Sequence, residues 1–313
     1  MPLPTDQGLL TLSEDLIAQL EEIFGKHPGL RPAHARGTLV SGSFKPTPEA
    51  AALSTAPHFN NDSTPITIRF SSATGIPNIP DNDPNASPRG IGVRFNLGHR
   101  VHTDIIGQSC PAFPTRAGPE FLEFLRAVAA SPPGSPSPSA IEQFLGSHPA
   151  ALAFVQYPKP SPASFATEIF HSVVAYKFTN AQGVTKFGRY IISPDAGTSY
   201  VDQAELASKS PSYVYEELSE RIAKGPVSFT LRVQIAEDGD VTDDSTVLWP
   251  ENRPVIDLGK LTIDTVVPDN DAEQKYIILD PVPRVGGIEP SKDPLIELRA
   301  AVYLISGRRR RAA

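Results

Sequence analysis

Apolar and polar residues alternate in short runs along this chain, and that rhythm constrains its fold more than any other feature. Ile66, Ile68 and Phe70 take every second position of one run, and Ile91, Val93, Phe95 and Leu97 of another. Successive side chains of an extended strand point to opposite faces, so each run has one face to bury. Further strand patterns fall at about 171–178, 186–192, 227–236, 258–265 and 275–279. Helical patterns are fewer, at 11–25, 118–130, 212–224 and 294–311. Parallel neighbours need a crossover between each pair of strands, and this order does not supply one. The pattern therefore predicts an α+β architecture: an antiparallel sheet or barrel with helices packed outside it. The 33 prolines fit that picture, because each breaks a strand or rigidifies a loop.

The first helix reads from Thr11, which has capping-box spacing to Glu14, through the stripe Leu16, Ile17, Leu20, Ile23 and Phe24, to a stop at Gly25. The run SPPGSPSPS (131–139) reads as a surface loop, since strands resume beyond it, and residues 1–313 read as one domain without internal repeats. A net charge of -7 argues against nucleic acid or an anionic membrane as a general partner. No apolar run approaches the ~20 residues that a spanning helix needs. The amino terminus shows no basic start with an apolar core, so a cytoplasmic protein is expected. Cys110 is the single cysteine, which excludes an intrachain disulfide.

Two stretches carry candidate chemistry. RPAHARG (31–37) sets His34 between Arg31 and Arg36, which suits either an anion site beside an acid–base or a solvated basic loop. Arg299 and Tyr303 stand four residues apart in a helical pattern, so both lie on one helix face. A guanidinium beside a phenol favours the phenolate, a hard anionic ligand for ferric iron. Alone, the pair reads equally as a core tyrosine beside an arginine that reaches water. His99, His102 and Asp104 are metal-ligand types, but their spacing and position read as a solvated turn. Arg308 to Arg311 read as a solvated helix end that complements the helix dipole.

Taken in order, these stretches and others resemble the monofunctional haem catalase family over most of the chain. RPAHARG resembles the distal histidine motif, IRFSSATG (68–75) the Arg-Phe-Ser strand, and PRGIGVRF (88–95) the strand after it. DIIGQSCPAFPTR (104–116) is similar to the distal amide loop. LWPENRPVIDLGKL (248–261) and LDPVPRVGGIEPSKDPLIELRAAVY (279–303) match the run into the proximal tyrosine helix. The resemblance implies a catalase-like barrel with haem b buried between it and the carboxyl-terminal, tyrosine-bearing helix. It implies Tyr303 as axial iron ligand, as tyrosine is in catalase, with Arg299 keeping it ionised. His34 would be the distal acid–base, Ser71 its hydrogen-bond partner, and Gln108 the distal amide. Arg31 and Arg69 would pair with the haem propionates, and Phe113 and Phe121 would line the distal side.

The sequence departs from the family pattern at three places. Gln108 stands where the family has asparagine, Ala33 where a valine narrows the channel, and Pro114 where a second phenylalanine is usual. The last two changes predict wider access to the iron. The chain also ends ten residues after Tyr303, so a minimal, catalase-related peroxidase without the carboxyl-terminal domain is expected, with a homodimer as the expected assembly. The implied function is reduction of hydrogen peroxide or organic hydroperoxides through an oxoferryl intermediate, with a small organic electron donor and weak catalase activity. A true catalase, a fatty-acid hydroperoxide-rearranging enzyme and a non-enzymatic haem binder are the alternatives. A thiolate role for Cys110 is set aside because Tyr303 fills the proximal position. His171 reads as structural, and NADPH binding is not carried over.

Overall fold

The computed structural model describes residues 3–313. Ten strands form in chain order: β1 (Gly37–Pro46), β2 (Thr64–Ser71), β3 (Gly90–Gly98), β4 (Val101–Gln108), β5 (Phe170–His171), β6 (Tyr176–Thr179), β7 (Thr185–Pro194), β8 (Val227–Ile235), β9 (Val255–Val266) and β10 (Ile288–Pro290). All their pairings are antiparallel, in the order β10-β6-β7-β5-β4-β3-β2-β1-β9-β8, and β7 also pairs with β8. That last pairing closes eight strands, β7 through β8, into a barrel. Closure removes the exposed edges that an open sheet would present.

The alternating apolar residues fill the barrel. Phe70 of β2 packs against Phe165, Phe170 and Phe229, at ring-centroid distances of 5.0, 5.8 and 6.0 Å. On the opposite face of β2–β4, Arg69, Ser71, Gly90 and Gly92 are buried too. Register sets Ser71 opposite Gly90 and Gly90 opposite Gln108; one step along, Arg69 faces Gly92 and Gly92 faces Ile106. This polar outer face becomes a wall of the candidate site. The helices Gln7–Phe24, Gly118–Ala129 and Pro294–Ala312 pack on one another beside it.

Several elements differ from the sequence reading. The first helix starts earlier, capped by Asp6 accepting from Leu9 N; the capping box lies instead at Ser139 and Glu142, heading a short helix, Ala140–Ser147, that periodicity does not reveal. β1 is masked by its Gly and Ser residues and a bulge at Ser41/Gly42. The predicted strand 171–178 is two short strands, β5 and β6, with a bend between. Residues 275–279 are not a strand. A helix, Asn270–Tyr276, ends there, and the carbonyls of Ile277 and Ile278 accept from arginine side chains rather than from a neighbouring strand. His102 and Asp104 lie within β4 and not in a turn.

One histidine sits in the apolar filling. His58 packs against Phe44, Phe59 and Phe95, and neither ring nitrogen has a hydrogen-bond partner. Burial pushes its pKa down to about 3. The unfolded chain takes up this proton near pH 6.5, well before the folded protein does. The group's contribution is therefore full above pH 6.5 and is lost as pH falls from 6.5 towards 3. The expected slope is about 1.4 kcal/mol per pH unit. Urea unfolding of wild type and His58→Phe across this window measures it; the difference between the two should grow as pH falls, and a constant difference would contradict the assignment.

Candidate active site

RPAHARG leaves the barrel wall and turns back on it. His34 N donates to Ala73 O and Ala35 N to Thr74 O, at 3.0 and 2.9 Å. His34 itself takes a positive φ of 55°, uncommon for a residue with a Cβ. That conformation brings its Nδ1 within 3.1 Å of Ser71 Oγ, at the end of β2. Gly90, the cross-strand neighbour of Ser71, makes room: a Cβ there would stand 2.6 Å from Ser71 Oγ and 2.9 Å from His34 Nδ1. Burial, with the Arg69 and Arg299 charges adding to it, pushes His34 down to about 4. The imidazole is therefore a neutral base at pH 7, held well below the near-neutral value usual for histidine.

Arg36, to which the sequence assigned no role, anchors the same stretch. It donates to Ile79 O, Pro211 O and Ser212 Oγ, lies 3.6 Å from buried Asp81, and stacks 4.3 Å above the ring of Tyr215. The Tyr215 hydroxyl in turn meets Arg36 O, Ser72 N and Ser72 Oγ, each at 3.1 Å. The helix carrying Tyr215 lies far away in sequence, so no local signal could have revealed this clamp.

A second wall comes from the carboxyl-terminal helix. Arg299 donates from Nη2 and Nε to Tyr303 Oη at 3.1 and 3.3 Å. Two N–H groups of one guanidinium thus converge on a single phenolic oxygen. Arg299 Nη1 is buried without a partner.

The third feature is a cluster of guanidiniums. Arg69 donates to Gln274 Oε1, His34 O and Ala35 O. Arg31 and Arg310 both donate to Ile277 O, at 3.0 and 2.8 Å. Among the described residues none of the three has a carboxylate partner, although ion pairs are formed elsewhere. Burial lowers the pKa of all three; Arg69 and Arg310 repel Arg31 and lower it further. Buried cations left without anions are costly, so the cluster is built to receive negative charge from a ligand. Arg310 corrects the sequence reading of a solvated helix end. It is 4 % exposed, whereas Arg308, Arg309 and Arg311 are exposed as that reading has them, Arg309 pairing with Glu14 and Glu21 and Arg311 donating to Tyr276 O.

One cavity joins these features. His34, Ser71, Gln108, Arg31, Arg69, Phe113, Phe121, Arg299 and Tyr303 all line it, as do Ala33 and Arg310. The rest of its lining is mostly aliphatic, and Leu16 and Leu20 of the first helix, missed as site residues, close one side. The Phe113 and Phe121 rings meet at 4.8 Å. Gln108 Nε2 donates to Ala112 O at 2.8 Å, which ties one of its two amide hydrogens to its own loop. Pro114 is buried and does not line the cavity, whereas Ala33 does. Asp104 binds Arg94 through both carboxylate oxygens and accepts from Asp280 N, which explains its presence without a metal. Cys110 is buried outside the lining and its thiol pKa is raised by burial, so it is not poised as a thiolate. His171 stands across from Gln108 in the β4–β5 pairing and does not line the cavity.

Comparison with known proteins gives a consistent picture. The family model described as Catalase matches residues 6–313. A catalase-related peroxidase of Mycolicibacterium paratuberculosis is 34% identical over 287 residues, 90% of this chain and 89% of that one. One of Synechococcus elongatus is 31% identical over 297 residues, 94% and 87% of the two chains. Among solved structures, a fungal catalase superposes with a TM-score of 0.80 at 23% identity, a likeness of fold. The match covers 94% of this chain but 62% of that longer one.

The Arg36–Tyr215 clamp makes a prediction. Tyr215→Phe removes the hydroxyl shared by Arg36 O and Ser72 and should lower stability by about 1–2 kcal/mol. The measurement is the shift in urea midpoint at unchanged slope; an unshifted midpoint would show that the hydroxyl contributes nothing.

Proposed function

This chain belongs to the catalase family and is a peroxide-acting oxidoreductase; from that premise we propose a haem-dependent peroxidase that reduces hydrogen peroxide or organic hydroperoxides with a small organic donor. The observation that carries the reading is one cavity holding a charge-assisted phenol, Tyr303, and a neutral imidazole, His34, with three unpaired guanidiniums at its side. These residues fit a haem b. Tyr303 Oη would hold the iron, and Arg31, Arg69 and Arg310 would hold the two propionates. The aliphatic lining and the phenylalanines take the ring. Bound there, haem would supply the redox chemistry by which two electrons pass from donor to peroxide.

The protein's own part is proton handling and orientation. A peroxide must lose a proton from one oxygen and gain one on the other before its O–O bond parts. In the tautomer whose Nδ1–H donates to Ser71 Oγ, Nε2 is the nitrogen free to take that proton and return it. The low pKa suits this order, because a neutral ring accepts first. Gln108 offers a single free amide hydrogen for orienting peroxide, the other being held by Ala112 O. A shifted, half-engaged amide handicaps the second peroxide that a catalase must position, which favours donor oxidation over oxygen release.

His34→Ala should keep its haem, with an intact Soret band, and lose about 100- to 10,000-fold in the rate of reaction with peroxide. In wild type that rate should fall as pH drops through about 4, where His34 becomes protonated, and stay level above it. Stopped-flow absorbance tests both; an acid limb that survives in His34→Ala would assign it elsewhere. Oxygen evolution measured beside oxidation of a phenolic donor decides the emphasis. Rapid oxygen release without donor oxidation would make the enzyme a true catalase, and isomerised products from a lipid hydroperoxide would make it a rearranging enzyme.

A further inference from the structure

Ile277 has the cavity on one side and a second, open groove on the other. The groove's floor is the outer face of β2 and β3, with Thr67, Arg94 and Asn96; its rim is Asp269, Glu273 and Tyr276. Ile277 is common to both linings. Ile277 O accepts from Arg31 and Arg310 on the cavity side, and the next carbonyl, Ile278 O, accepts from Arg94 on the groove side. A small molecule in the groove thus lies across Ile277 from Arg31 and Arg310.

We propose that this groove binds the electron donor, and that the donor is a neutral or cationic aromatic amine or phenol; the proposal rests on the peroxidase reading above. The Tyr276 ring, 55% exposed, offers an aromatic face at the rim. The floor offers hydrogen-bonding groups: Asn96 Nδ2 donates to Thr67 Oγ1, which leaves the Asn96 carbonyl oxygen and the Thr67 hydroxyl hydrogen for a ligand. Charge sets the class. Arg94 is matched by both oxygens of Asp104, whereas Asp269 and Glu273 are exposed and enter no ion pair among the described residues. The groove therefore presents uncompensated negative charge, which repels anionic reductants and accepts N–H or O–H donors. The balance is closed by two donor molecules per peroxide. Each loses one electron and one N–H or O–H proton to become a radical of unchanged charge, the O–O bond breaks, and hydrogen peroxide gives two waters. The Glu273 carboxylate is placed to take the donor's proton.

The test uses the ferric haem protein and two probes, o-phenylenediamine, uncharged at pH 7, and a disulfonated, dianionic azine dye. Paramagnetic relaxation of the probe protons reads binding near the haem without turnover. The diamine should show saturable relaxation that weakens about five-fold in Tyr276→Ala and is restored in Tyr276→Phe, and the dye should show none. Glu273→Lys should reverse the preference between the probes. In stopped-flow, Tyr276→Ala should slow the donor step about five-fold and leave the peroxide step unchanged. Equal diamine relaxation in wild type and Tyr276→Ala would overturn the groove as the donor site. Diamine binding that depends on Tyr276, in a protein inert to peroxide, would overturn the peroxidase reading and leave the groove as an aromatic-amine site.

Discussion

The register of β2, β3 and β4 is the constraint on which the site depends. It sends Ile66, Ile68, Phe70, Val93 and Phe95 to the barrel interior and their neighbours Arg69, Ser71, Gly90, Gly92 and Gln108 outward. A slip of one residue would exchange the two sets. The large apolar area on the inner face makes that exchange costly, so packing of the core also aligns Ser71 with His34. The glycines on the outer face matter for the same reason. A side chain at Gly90 would occupy the space in which the imidazole meets its serine.

Burying three guanidiniums against one cavity works against the fold. The protein meets part of their hydrogen-bonding demand with carbonyls from 34–35 and 275–277 and with Gln274, groups that are dipolar rather than charged. This arrangement orients the arginines but leaves their charge unanswered, which gives an anionic ligand strong electrostatic reason to bind. It also explains why 277–279 is not a strand. Its carbonyls serve arginines arriving from the amino-terminal loop, the barrel and the last helix. The same strip of chain then lines both the cavity and the groove beside it.

Much of the site could be read before the fold was known, because its residues recur in ordered motifs that resemble a family. What the motifs concealed was connection. Arg310 looked like one of four solvated charges, since a run of arginines at a helix end carries no mark of which one turns inward. Arg36 looked idle because its partners are Ile79, Pro211, Ser212 and Tyr215, and Pro211 to Tyr215 lie some 175 residues onward. His34 looked like a group near neutrality, and only burial among arginines shows that its pKa falls to about 4. Gln108 was legible as an amide, but not its bond to Ala112 O.

By itself the sequence determined the class of fold, through alternation that buries one strand face, and the four-residue spacing that lays Arg299 beside Tyr303. These are consequences of backbone periodicity, which is local. Only the tertiary structure decided that β7 pairs with β8 to close the barrel, that Ser71 meets His34, and that Arg31, Arg69 and Arg310 converge on one cavity. Those outcomes depend on which surfaces bury one another and on charges brought together from distant elements, and neither quantity is carried by any single stretch of chain.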